Sequence, residues 1–124
     1  MLPTVKPKVL EFSKNGDLIK DFPGIPEGSR ICNVGHAEFD DFFTMNALEP
    51  LGDQSTAPIY AYANDHVIST IVPGDLGIPV LRHIHQCWPH YTTDAKGNYQ
   101  LYLLVHGWNL GKFAVLKHVP SYKD

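Results

Sequence analysis

Between residues 58 and 119 the chain alternates short β-rich runs with turn signals, and that spacing leaves little choice of fold class. The runs are 58–63, 67–72, 80–88, 99–108 and 113–119. Between them stand Asn64-Asp65, Pro73-Gly74-Asp75, Asp94-Ala95-Lys96-Gly97-Asn98 and Asn109-Leu110-Gly111. Glycine supplies positive φ, Asn and Asp bond their own backbone, and Pro presets a turn dihedral, so each cluster ends a strand. Strands this short, joined by turns this regular, predict a meander. The expected class is all-β: a single-domain antiparallel β-sandwich, jelly-roll-like, with at most one short helix. The run Tyr99-Gln100-Leu101-Tyr102-Leu103-Leu104-Val105 is apolar on both faces and is expected at the centre of a sheet.

The N-terminal half is less regular. Pro3 and Pro7 make residues 1–8 an extended arm, leaving 9–124 as the domain. Runs 9–12 and 18–22 flank Asn15-Gly16, a hairpin signal. Residues 23–28 read as a loop and 30–34 as a short strand. The segment 36–48 is the one plausible helix: Phe39, Phe42, Phe43 and Met45 lie near helical spacing, with Glu38, Asp40 and Asp41 left for solvent. The same aromatics would serve a buried strand. Residues 49–58 read as a loop.

A chain of 124 residues fits one core. Its apolar fraction of 44% and charged fraction of 19% are those of a globular protein, and ten glycines with ten prolines suit strands and turns better than a helical bundle. A net charge of −3 and a pI near 6.1 argue against nucleic-acid partners, which need clustered Lys and Arg. No apolar run approaches a membrane-spanning length, and Met1-Leu2-Pro3-Thr4-Val5-Lys6 lacks the apolar core of a signal peptide. Cys32 and Cys87 follow no zinc spacing and are expected as reduced, buried thiols, which fits a product made in the cytoplasm.

Seven histidines are many for this length. His83 and His85 alternate on one strand and would share a face with Leu81 and Cys87; His90 follows Pro89, and His106 ends the run from Tyr99. Imidazole nitrogens suit a divalent transition metal, which makes His83, His85, His90 and His106 the candidate ligands. The commoner role for such residues is half-buried and bonded to backbone carbonyls, with no cofactor. Asp65, Asp75 and Asp94 sit in turns, so no carboxylate partner for a general base is assigned, nor any Ser-His-Asp or Cys-His set.

Gly77, His83, His85, His90 and Gly97 together resemble the first motif of the cupin family, with histidine at the usual glutamate position. That resemblance implies a metal-binding enzyme or small-molecule binder. No Pro-x-Gly turn of the second cupin motif follows, although His118 is in range.

A second resemblance covers residues 57–119. An apolar strand (Val67-Ile68-Ser69-Thr70-Ile71-Val72), a Gly-Asp turn (Pro73-Gly74-Asp75-Leu76), a His-x-His strand (Arg82-His83-Ile84-His85-Gln86) and a Gly-led aromatic strand (Gly97-Asn98-Tyr99-Gln100-Leu101-Tyr102) are similar to small β-sandwich structural proteins of tailed bacteriophages. Gln86 stands where that group carries Trp, and Trp88 lies two residues on. The resemblance implies a non-enzymatic virion subunit, such as a head decoration, neck or tail component. It would be a symmetric homo-oligomer bound to other virion proteins. Residues 1–8 would then reach a neighbour, and Trp88, Tyr91 and Trp108, with Tyr60 and Tyr62, would anchor contacts. Taken singly, each of these aromatics is more commonly a core residue than an interface one. A lectin-like module stacking sugar on Trp88 and Tyr91 ranks third, on fold analogy alone.

Overall fold

The computed structural model describes residues 8–37, 41–108 and 112–119. Within them nine strands form three antiparallel sheets. Strands β1 (Leu10–Phe12) and β2 (Leu18–Asp21) make a hairpin whose turn places Gly16 at φ 90°. Next come β3 (Ile31–Ala37), β4 (Phe42–Ala47), β5 (Ile59–Ala63) and β6 (His66–Ile71), paired in that order. The last sheet is β7 (Ile84–Thr93), β8 (Tyr99–Gly107) and β9 (Phe113–Lys117). The protein is an all-β sandwich; its two larger sheets are sequential meanders rather than jelly-roll crossings. The strand from Tyr99 is central, as expected. Among the described residues the only helix is a 3-10 turn, Pro73–Leu76, and no helix is long and apolar enough to cross a membrane.

In place of the predicted helix over 36–48, the described residues hold the end of β3, a turn residue at Asp41 and β4. Pairing of Phe42–Ala47 with β3 on one side and β5 on the other puts this strand in the middle of its sheet. Both of its faces are covered. Phe43 and Met45 pack with Val9, Phe22, Tyr60 and Tyr62 under the β1–β2 hairpin. Thr44 and Asn46 point the other way and bond to the Cys87 and Ile84 carbonyls of β7. A strand covered on both faces loses the polar alternation that identifies strands, so its aromatics mimic helical spacing. Phe39 lies outside the described residues.

A second core cluster lies between the larger sheets, formed by Ala57, Ile59, Leu81, Ile84, Cys87, Leu103 and Val105. Together the clusters give three layers: the hairpin, the β3–β6 sheet and the β7–β9 sheet. The two larger sheets meet where the edge strands β3 and β7 abut. Pro89 has no N–H to offer a neighbouring edge, and its ring lies against Gly35. A Cβ on Gly35 would sit 2.8 Å from Pro89 Cδ and 3.0 Å from the Cys87 carbonyl oxygen, so only glycine allows this approach. No ladder joins β3 to β7; sparse bonds tie β7 to β4 and the residue after it instead, Ile84 N–H to the Leu48 carbonyl (3.0 Å) and the Asn46 amide to the Ile84 carbonyl (3.1 Å).

Candidate functional site

The outer face of β7–β9 is built by register. Trp88 pairs with Leu104, and Leu104 with Val115; one step away Gln86 pairs with His106, and His106 with Phe113. On the other side His90 pairs with Tyr102, and Tyr102 with Lys117. Side chains alternate along each strand, so these three rows share a face while Cys87, Val105 and Ala114 point into the core. Trp88, Leu104, Val115, Phe113 and the neighbouring Trp108 are 38–64% exposed. Lys117 is the one Lys, Arg, Asp or Glu in the three rows. An aromatic and aliphatic strip with charge only at its end resembles the centre of a protein–protein interface rather than an ordinary solvated sheet face.

Of the four candidate metal ligands, the fold brings two together. The β7 register shifts between Ile84 and Gln86, a bulge that inserts one extra residue. Ile84 and Cys87 therefore both turn inward, and His85 turns outward. The expected alternation, with His83 and His85 sharing a face with Leu81 and Cys87, fails: the bulge turns His85 out while Cys87 stays buried, and Leu81 and His83 precede the strand, outside its alternation. The His85 ring lies edge-on to His106, centroids 6.2 Å apart, and edge-on to Trp108 at 5.2 Å. His83 precedes β7 and holds Trp108 through its backbone, its carbonyl accepting the Trp108 N–H at 2.9 Å. His90 sits four residues beyond Gln86, about 13 Å along the strand. Among the described residues, no group of three or more His, Cys, Asp or Glu side chains is arranged to hold a metal ion.

The aromatics divide as well. Trp88 and Trp108 are exposed at the outer face. Tyr91 has the opposite parity and faces the space between the sheets. Tyr60 and Tyr62 are core residues, the commoner of their two expected roles, and take no part in an exposed contact surface. They sit under the hairpin layer, where the Tyr60 hydroxyl bonds Ser29 Oγ at 2.6 Å and the Tyr62 hydroxyl donates to the Pro23 carbonyl. Burial raises both phenol pKa values above the ordinary range. The cysteines are free: Cys87 is buried as expected, its thiol pushed up to about 12 by burial, but Cys32 is exposed on β3.

One feature of the site had no sequence signal: a cleft of about 790 Å³ where the sheets splay apart. Its floor on the β3–β6 side includes Thr44, Ala61 and Ser69, which are paired across β4, β5 and β6. Gly35 extends that row on β3. Small side chains at four aligned positions cannot fill the roughly 10 Å between packed sheets. Where β7 presses against Gly35 and Thr44 the gap is closed. Toward Ala61 and Ser69 it opens, with Leu101, Leu103 and Leu116 as the facing wall. Comparison with protein-family models, with curated proteins and with solved structures gives no match to this chain.

Proposed function

We propose that the chain is a non-enzymatic structural subunit that associates with copies of itself through the outer face of β7–β9. The carrying observation is the exposed Trp88–Leu104–Val115 row with Phe113 and Trp108 around it. Trp and Tyr dominate interface hot spots because they bury large area at low entropic cost. A two-fold axis through such a row lays the same apolar patch on itself, and with Lys117 at the margin no like charges meet at the centre. The setting, a tailed-phage particle in which this subunit serves as head decoration, neck or tail component, comes from the resemblance of residues 57–119. Immunolabelling of purified particles tests it.

Self-association is tested by sedimentation velocity over a wide concentration range. Wild-type protein should sediment as an oligomer, and Trp88→Asp as a monomer with unchanged circular dichroism. A wild-type protein monomeric throughout refutes the reading. A second reading, transition-metal binding of cupin-like type, is favoured by the His85–His106 pair alone. Two imidazoles fill half of a tetrahedral shell and leave the remainder to water or another donor. Mass-spectrometric metal analysis of protein purified without a tag or chelator tests it. Near-stoichiometric metal, lost in His85→Ala and His106→Ala, supports it; metal unaffected by these changes removes both residues from any site.

A further inference from the structure

The cleft between the sheets has two chemically different ends. It opens between the edge strands β6 and β9, away from the Gly35–Pro89 junction. One end abuts the inter-sheet core, where Ile59 and Leu103 are buried and Ile71 and Leu116 pack against them half-buried. From there the lining runs along β5 to Ala63 and along β8 back to Tyr99, a length of about 13 Å.

Register brings the polar groups to the second end. Ala114 and Leu116 face the core, so His118 has the same parity, and its N–H extends the ladder to the Leu101 carbonyl at 2.9 Å. Tyr91 and Tyr99 line this end too. Lys117 springs from the outer face of β9 and also borders the cleft. Asp75, the one carboxylate among the described lining residues, follows β6 at the opposite end, beside Ile71 and Val72. Carboxylates in the turns next to the polar end are already engaged: Asp41 with His36, Asp65 with Lys20, and Asp94 with the Lys96 and Asn98 N–H groups.

An aliphatic slot backed by core at one end, with a cation and hydrogen-bond donors at the other, matches an amphipathic anion. Between sheets about 10 Å apart, the missing volume is the side-chain layer that Thr44, Ala61 and Ser69 are too small to supply. Such a slot is about one aliphatic chain thick. We propose that the cleft binds a single-chain aliphatic carboxylate, a fatty acid, with its tail against Ile59, Ile71 and Leu103 and its carboxylate at His118 and Lys117. The His118 ring offers an N–H in either protonation state, and Lys117 supplies the opposite charge. The volume of about 790 Å³ lies within the range of small-molecule sites. The tail also removes the half-buried Ile71, Leu101 and Leu116 from water. This site lies on the inner face of β7–β9 and does not depend on association through the outer one.

Isothermal titration calorimetry on the full chain tests this, with dodecanoate below its micellar concentration as the probe. One dodecanoate per chain should bind with a micromolar dissociation constant, and dodecanol, the same tail without the charge, about tenfold or more weakly. His118→Glu, at an exposed position, should weaken dodecanoate about tenfold or more and leave dodecanol unaltered. Ala61→Leu fills the floor and should abolish both, with circular dichroism unchanged, while Trp88→Asp should bind as wild type does. No dodecanoate binding, dodecanol binding equally tightly, or affinity that survives Ala61→Leu overturns the proposal. So does binding lost in Trp88→Asp, which puts the probe on the outer face. Should Ala61→Leu fail to fold, His118→Glu decides alone: equal loss for acid and alcohol, or loss for neither, overturns the proposal.

Discussion

Substituting Gly35 by alanine tests the junction that orients the whole molecule. The added methyl would lie 2.8 Å from Pro89 Cδ, 2.8 Å from Thr44 Oγ1 and 3.0 Å from the Cys87 carbonyl oxygen. Two of those atoms belong to β7, and one of the two is backbone, so relief requires the strands to part. Overpacking of this kind costs about 1–3 kcal/mol. Losing glycine's freedom in the unfolded chain returns about 0.4–1 kcal/mol, since Gly35 does not adopt a positive φ. The net destabilisation is about 1–2 kcal/mol. With a urea m-value of about 1.5 kcal/mol/M, the unfolding midpoint falls by about 1 M. Urea titration followed by tryptophan fluorescence measures it, with m unchanged. Pro89→Ala in the same chain removes one of the three clashes and should recover part of the loss. A Gly35→Ala midpoint at or above wild type refutes the close approach of β3 to β7, and with it the placement of the cleft.

Thiol reagents should label Cys32 rapidly in the native protein and Cys87 only on unfolding, because the Cys87 thiol is buried and stays protonated to about 12. Its folded pKa lies above the ordinary thiol value of 9.0, so its contribution to stability is complete below 9 and is lost as pH rises toward 12. Urea midpoints that fall across that window, with a shallower fall in Cys87→Ala, are the expected result. Phe22→Ala should cost about 3 kcal/mol, since its ring packs edge-on to Phe43 at 5.2 Å and Tyr62 at 5.6 Å. Proteolysis in the variant should cut first within the β1–β2 hairpin, and uncut hairpin with unchanged stability would deny that Phe22 fastens that layer.

Turn chemistry made much of the fold legible. Asn15-Gly16 does close the β1–β2 hairpin, and Asn64 and Asp65 both adopt positive φ, 52° and 65°, between β5 and β6. Asp94 accepts the Lys96 and Asn98 N–H groups and seals the β7–β8 turn. These are local bonds made by the residues that announce them. Strand existence from residue 58 onward followed, although β7 starts at Ile84 rather than at 80 and runs on to Thr93. The four-residue shift arises because Leu81 packs in the core while Arg82 and His83 use their carbonyls to hold Ala57 and Trp108.

The candidate site was legible only in its composition. Trp88 and Trp108, both exposed on the outer face, could be singled out as candidate contact residues, and the histidines as a group, from residue type alone. Which histidines meet depended on one extra residue in β7, a bulge with no glycine to mark it. Strand alternation is a two-residue rule, and a single insertion inverts every assignment beyond it.

By itself the sequence determined the class of the protein: short strands, tight turns, one domain's worth of apolar surface and no charge excess toward nucleic acid. Those properties come from each residue's own dihedral preferences and solvation, which act over a few positions. Only the tertiary structure decided that β4 is covered on both faces, that Gly35 lets two sheet edges touch, and that Thr44, Ala61 and Ser69 align into the floor of a cleft. Each depends on strands up to dozens of residues apart settling into register, a choice made by packing across the whole sandwich rather than by any local preference.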